Sequence, residues 1–233
     1  GALPKQYLPL DGVPMLLRAL RPFSSHPAVD HLVVVLPPGD AAAPPTWLAD
    51  LVGGRLSVVD GGAERSDSVA HGLAAMPGHC AVILVHDAAR PFVERETIDA
   101  VIALARTGVG VIPGIPVADT LKEAGEDPPG RGQFAGEPAS RPISRTVPRE
   151  QLWAAQTPQG FPRALLEEAH ARARHEGLRG TDDAMLVERL GAPVRLVTGS
   201  VRNFKVTSET DLMVAEALLR AGRADSSSST YSA

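Results

Sequence analysis

The stretch Val85-His86-Asp87-Ala88-Ala89-Arg90-Pro91 holds the densest chemistry in the chain. The run before it, residues 81–86, reads AVILVH and has the character of a buried parallel strand. Such a strand would deliver Asp87 and Arg90 to its carboxyl end, where Pro91 forces a turn. In an open parallel sheet, ligands sit at that end. A carboxylate beside a guanidinium there can bind a metal–phosphate or a polyol hydroxyl, with Arg90 gripping phosphate or ordering the loop. The plainer alternative is a salt bridge that closes the loop.

Other segments offer chemistry that is weaker alone. Gly61-Gly62-Ala63-Glu64-Arg65-Ser66-Asp67-Ser68 follows a short apolar run and leads into a helix. Its glycines would let a flat base or a phosphate approach the backbone, and the helix start with Ser68 offers donors and an acceptor. Glycine–serine turns before helices are also common without any ligand. Lys5, in Pro4-Lys5-Gln6, could hold polyphosphate charge or simply be a surface lysine. Lys205, in Asn203-Phe204-Lys205-Val206-Thr207, is read as lying in a short strand opposite Phe204 and Val206. There it could reach a phosphate or protect a sheet edge. Thr157, in Gln156-Thr157-Pro158-Gln159-Gly160-Phe161, and Arg149 upstream are candidate donors to a phosphate or hydroxyl; turn chemistry also explains them. Thr181-Asp182-Asp183 reads as a helix N-cap before it reads as a metal site.

These residues need elements to position them. Apolar runs at 31–36, 56–59, 81–86, 109–113 and 194–197 alternate with helical patterns at 14–24, 68–75, 96–106, 163–176, 183–190 and 209–220. Ser208 with Asp211 resembles a capping box for the last helix. The alternation predicts an α/β fold built on a βαβ sheet. Residues 123–145 interrupt it with Gly, Pro, Ser, Arg and Glu, either a functional or interaction arm or a surface insertion.

Composition bounds the answer further. With 233 residues, 44% hydrophobic and 21% charged, the chain has the size and make-up of one globular α/β domain. A net charge of −4 argues against a general nucleic-acid binder. No apolar run is long enough to span a membrane, and no secretory signal is visible. Cys80, the single cysteine, reads as a buried core thiol and suits a reducing cytoplasm. The histidines show no metal-ligand spacing, and neither a Gly-x-Ser-x-Gly elbow nor a Walker loop is present.

Taken in order, Pro4-Lys5-Gln6-Tyr7-Leu8, Gly61-Gly62 with Arg65 and Asp67-Ser68-Val69, and Val85 to Phe92 resemble the methylerythritol phosphate cytidylyltransferase family. So do Asp119-Thr120-Leu121-Lys122, Thr157-Pro158-Gln159, Thr181-Asp182-Asp183-Ala184 and Lys205-Val206-Thr207. The resemblance implies a Rossmann-like, mostly parallel sheet with helices on both faces, in one domain over residues 1–222. It also implies an extended dimerisation arm at about 119–149. Residues 223–233 are expected to be a disordered tail or linker.

The implied reaction transfers CMP from CTP to a sugar-alcohol phosphate and releases pyrophosphate, with Mg²⁺ or another divalent cation as cofactor. Methylerythritol phosphate is the expected acceptor and ribitol 5-phosphate the alternative; a non-catalytic nucleotide-binding domain of a fused protein is a third reading. By carry-over, Lys5 and Lys205 contact the CTP phosphates, and Gly61, Gly62, Ala63 and Ser68 lie against the base. Asp87 meets the ribose, the metal or the acceptor; Ala88, Arg90 and Thr157 form the acceptor pocket. Thr120 and Arg149 reach the acceptor phosphate of a partner subunit, so a homodimer is expected. The family opens with a strand and a Gly-rich loop that wraps the triphosphate. This chain starts at Gly1, just downstream of where that loop would end, so a trimmed start is expected.

Overall fold

The structure is a computed structural model and describes residues 4–126 and 140–228. After a 3-10 turn at Lys5–Tyr7, strands β1 (Pro9–Leu10) and β2 (Val13–Pro14) form a tight hairpin that feeds helix α1 (Met15–Ser24). Asp11, with φ of 51°, and Gly12, with φ of 74°, make that turn in the left-handed region. Strand β3 (Leu32–Leu36), helix α2 (Thr46–Ala49), strand β4 (Leu56–Asp60) and helix α3 (Arg65–Ala75) follow. Next come β5 (Val82–Val85), α4 (Arg95–Ala105) and β6 (Gly110–Pro116). The second half holds β7 (Leu121–Ala124), β8 (Ile143–Val147), β9 (Trp153–Ala155), β10 (Gln159–Pro162), α5 (Arg163–His175), α6 (Asp183–Arg189), β11 (Val194–Thr198) and α7 (Glu209–Ser228).

The main sheet has the order β11-β6-β10-β5, with β9 antiparallel on the far part of β6. Strands β11 and β6 are parallel, and β10 runs antiparallel between β6 and β5. Strands β3 and β4 pair in parallel, Leu32 opposite Leu56 and Leu36 opposite Asp60. The alternation of side chains along β5 sorts the helices. Val82 and Leu84 meet Val101 and Ala105 of α4, whereas Ile83 and Val85 meet α5 and α6 through Phe161, Leu166 and Leu186. Helix α4 presents Ile98, Val101, Ile102 and Ala105, and α5 presents Leu166, Ala169, His170 and Ala173, the spacing of one buried helical face.

Between β3 and β5 lies a slot of about 500 Å³, walled by Val33, Val34 and Val35 on one side and Ile83, Leu84 and Val85 on the other. Among the described residues, β3 pairs only with β4 and β5 only with β10, so each turns an unpaired edge toward the slot. Cys80 is buried at the far end of the slot, as expected.

Four readings of the sequence change. Residues 203–207 form no strand; Val206 N–H instead donates to the Ala89 carbonyl at 2.8 Å. The segment read as turn chemistry at 156–161 contains β10, a central strand. Its Gly160 is required because a Cβ there would overlap Val101 on α4. Part of the supposed structureless excursion is an antiparallel β7–β8 pairing, Leu121 opposite Val147 and Lys122 opposite Thr146. Helix α7 runs past Arg220 to Ser228, so helical backbone covers the first part of the expected tail. The expected capping box is present: Asp211 accepts from Ser208 N–H at 2.8 Å, and Asp211 N–H donates to Ser208 Oγ at 3.2 Å. Residues 127–139, the centre of the expected arm, and 229–233 of the expected tail lie outside the described residues.

Candidate active site

Asp87 stands at the carboxyl end of β5, where the sequence places it. The Val206–Ala89 hydrogen bond brings the segment after β11 alongside, and Lys205 Nζ lies 3.0 Å from Asp87 Oδ2. Arg90 Nε is 3.8 Å from the same oxygen. Burial alone would raise the Asp87 carboxyl, but Lys205, Arg65 and Arg90 outweigh it and hold the group below the usual carboxylate range. Asp87 is therefore an anion held among cations from three separate stretches of chain.

Arg65, the first residue of α3, is the cation to which sequence reasoning assigns no role. Its Nη2 donates to Asp183 Oδ2 at 2.7 Å, and His170 Nε2 donates to the other oxygen, Oδ1, at 2.9 Å. Asp183 is 1% exposed. Its burial pushes its own pKa upward, yet the His170 hydrogen bond and the Arg65 charge prevail and lower it. Burial weakens the Arg65 charge, and Asp183 more than restores it. The Asp183 backbone is fixed in turn by buried Gln159, whose Oε1 accepts from the N–H groups of Asp183 at 3.2 Å and Ala184 at 3.1 Å. Asp182 caps α6 by accepting from Met185 N–H at 2.9 Å, as its sequence pattern suggests.

The Gly61–Ser68 loop packs on its own helix. A Cβ on Gly61 would lie 2.7 Å from Ser68 Oγ and 3.0 Å from the Leu36 carbonyl; one on Gly62 would overlap the Asp67 side chain. Ser68 Oγ accepts from Gly62 N–H at 3.1 Å and donates to the Glu64 carbonyl at 3.1 Å. The hydroxyl expected to donate to a base thus already spends its proton on the loop. Ser68 and Arg65 both line the mouth of the slot with Asp87 and Ala88, whereas Ala63 is exposed.

Arg90 and Thr157 each make hydrogen bonds within the protein. Arg90 Nη1 donates to the Asn203 carbonyl at 2.7 Å and Nη2 to the Ala155 carbonyl at 3.3 Å, so it orders the loop. Burial lowers its pKa. Thr157 is 5% exposed, and its Oγ1 accepts from Asp87 N–H at 3.0 Å and contacts His86 Nδ1 at 3.0 Å. Asn203, wholly buried, donates to the Thr157 carbonyl at 2.8 Å. Sequence reasoning misses His86, Asn203, Asp183 and Gln159 as supporting residues because each acts on a partner distant in sequence. Only the polar end of the β5 run hints at His86.

Thr120 and Arg149 are exposed beside the β7–β8 hairpin, and no hydrogen bond or ion pair joins them to the Asp87 group among the described residues. Lys5 begins the 3-10 turn, and its side chain lies outside what the structure describes. Among the described residues, no group of three or more His, Cys, Asp or Glu could hold a metal. Asp87 could offer one oxygen to a cation: its Oδ2 faces Lys205, while Oδ1 takes no hydrogen bond among the described residues. Magnesium commonly takes one or two carboxylates and completes its shell with water and substrate phosphates.

Comparison with known proteins identifies the family. The family model described as "IspD: 2-C-methyl-D-erythritol 4-phosphate cytidylyltransferase" matches residues 1–221. A 2-C-methyl-D-erythritol 4-phosphate cytidylyltransferase of Salinibacter ruber is 42% identical over 219 residues, 94% of this chain and 86% of the relative. The bifunctional enzyme IspD/IspF of Anaeromyxobacter dehalogenans is 44% identical over 93% of this chain, which spans about half, 53%, of that longer relative. The crystal structure of the cytidylyltransferase from Thermus thermophilus superposes with a TM-score of 0.75 at 41% identity, covering 93% of this chain and 94% of that one. The chain belongs to the 2-C-methyl-D-erythritol 4-phosphate cytidylyltransferase family.

Proposed function

We infer that the protein transfers CMP from CTP to 2-C-methyl-D-erythritol 4-phosphate and releases pyrophosphate. The observation that carries this reading is the meeting of Lys205 with Asp87, 3.0 Å apart, beside Arg65 at the end of β5. Cations converging on a strand end suit a reaction whose chief need is positioning and neutralisation of phosphate charge. An acceptor phosphate oxygen bonds to the α-phosphorus, and the bond from that phosphorus to the β-bridging oxygen breaks. The electron pair leaves with pyrophosphate. The nucleophile is already ionised, so no side chain has to remove a proton from it.

Lys205 is proposed to neutralise the α-phosphate, and Lys5 to approach the triphosphate from the other side. The Gly61–Ser68 loop offers its backbone to the base. Asp87 would hold Mg²⁺, which supplies charge neutralisation between the phosphates when bound. The slot between β3 and β5 is the proposed seat of the family's first strand, since two unpaired strand edges and apolar walls suit an extended apolar segment. Its Gly-rich loop would then reach the phosphates near Asp87. The exposed β7–β8 hairpin, with Ile143 63% exposed, is the proposed dimer arm that carries Thr120 and Arg149 to a partner's site. No helix of the described residues is long and apolar enough to cross a membrane. The proposed location is the cytoplasm.

The test is pyrophosphate release by the full-length protein with Mg²⁺, CTP and either methylerythritol phosphate or ribitol 5-phosphate. Turnover with the first acceptor is expected. Turnover with ribitol phosphate alone, or tight CTP binding with no turnover, overturns the assignment.

A further inference from the structure

We propose that His86 is a positioning residue for the transfer, which through its two ring nitrogens ties Thr157 to the Arg90 carbonyl and so fixes Asp87 beside Lys205. The inference rests on the transferase reading of the site.

His86 Nε2 lies 3.0 Å from the Arg90 carbonyl oxygen, which can only accept. Nε2 must therefore carry the proton. In a neutral imidazole the other nitrogen is then an acceptor, and its partner at 3.0 Å is Thr157 Oγ1. The threonine hydroxyl must give its single proton to Nδ1. Its oxygen meanwhile accepts Asp87 N–H, also at 3.0 Å. One directed chain results, running from Asp87 N–H through the Thr157 hydroxyl and the imidazole to the Arg90 carbonyl. Arg90 N–H donates back to the Asp87 carbonyl at 2.9 Å, which closes the turn around the catalytic carboxylate. The ring of Phe23, 4.9 Å away in a tilted contact, holds the imidazole from the apolar side.

A specific consequence follows for Thr157. Its proton is committed, so it cannot donate to an acceptor phosphate; at most it offers a lone pair. The anionic parts of the substrates must then be met by Lys205 and Arg65, and the contribution of Thr157 is to anchor the Asp87 backbone. Glycine-like freedom at 87–90 would let the carboxylate drift from Lys205.

The test combines spectroscopy with kinetics. Long-range proton–nitrogen NMR of protein labelled at histidine, with His86 assigned through His86→Gln, reads the tautomer whether or not the protein transfers CMP. The expected signature is a protonated Nε2 and a bare Nδ1 at about pH 7.5, about one unit above the ordinary histidine value. Thr157→Val should move the Nδ1 resonance, and Thr157→Ser should restore it. In turnover, His86→Leu should lower kcat by about tenfold, the scale of one lost hydrogen bond, with the KM for CTP little changed. His86→Asn, which keeps an acceptor toward Thr157, should recover part of that loss. The double variant His86→Leu with Thr157→Val should be no worse than the poorer single variant. A proton on Nδ1, additive losses in the double variant, or a change confined to KM overturns the inference. If the tautomer is as expected but the protein transfers no CMP to any acceptor, the transferase reading fails instead.

Discussion

Replacing Gln159 with leucine should cost more than removing the cap of the helix it supports. Gln159 is 1% exposed; its Oε1 takes the backbone N–H groups of Asp183 and Ala184, and its Nε2 donates to Asp182 Oδ2 at 2.8 Å. Leucine has similar bulk and cannot accept. The two buried N–H groups at the start of α6 would lose their partner, at roughly 1–3 kcal/mol each. Burying an apolar side chain in place of an amide returns roughly 1–2 kcal/mol. The net loss is roughly 0–5 kcal/mol, centred near 2–3 kcal/mol, and its site lies beside Asp183, the carboxylate that aims Arg65. Urea unfolding followed by circular dichroism should show a lower midpoint with an unchanged m-value. Asp182→Ala is the internal standard, because loss of that N-cap costs about 1 kcal/mol. Turnover by Gln159→Leu should fall as well, since Arg65 loses its fixed partner. A midpoint within error of the wild type, or a loss smaller than that of Asp182→Ala, would refute the view that Gln159 carries the start of α6.

Other outcomes follow from the same geometry. Asp87→Asn should lower kcat by at least about a hundredfold in pyrophosphate release, because the carboxylate that orders Lys205 and is proposed to take the metal is gone. Burial pushes His86 down to about 4, below the ordinary histidine value near 6.5, so the unfolded chain binds the extra proton between these limits. Stability should therefore be fully expressed above about pH 6.5 and fall as pH drops toward 4, by at most roughly 3 kcal/mol. Chemical unfolding across that window checks the slope, and His86→Gln should flatten it. Deleting residues 123–145 should weaken dimerisation in sedimentation velocity and acceptor use together; an active monomer would remove the proposed role of the arm.

The elements that a local pattern dictates can be read directly. The apolar runs of β3 and β5 and the spacing of Ile98, Val101, Ile102 and Ala105 on α4 announce their own secondary structure. Strand β10 cannot be read this way. Pro158, Gly160 and Pro162 all signal a turn, yet this segment pairs with β5 on one side and β6 on the other. Pro158 precedes the pairing and Pro162 is its last residue, opposite Val82, while its glycine answers to Val101 on a helix far away in sequence. Lys205 shows the opposite case. The sequence puts it near phosphate chemistry on the strength of a strand that does not exist; the Val206–Ala89 hydrogen bond and the Phe92–Phe204 stack, with ring centroids 5.8 Å apart, bring it to Asp87 instead.

The candidate site residues divide by what hydrogen-bonding capacity they have left. Thr157 and Ser68 have given their protons to the protein, and Arg90 has given both terminal nitrogens to backbone carbonyls, so these residues hold the loops in shape. Asp87 keeps Oδ1, Arg65 keeps the nitrogens that Asp183 does not use, and Lys205, with 47% of its side chain exposed, keeps donors toward solvent. Residue type and spacing identify both groups but cannot separate them, because an N–H committed to the chain and one free for a ligand are spelled by the same letter. The separation needs the partners, and apart from the local Ser68–Glu64 bond those lie between 46 residues away, as in Asn203 to Thr157, and 118, as in Arg65 to Asp183. Charge left over at the end of β5 is thus the property that makes the motif a site and not merely a well-tied turn.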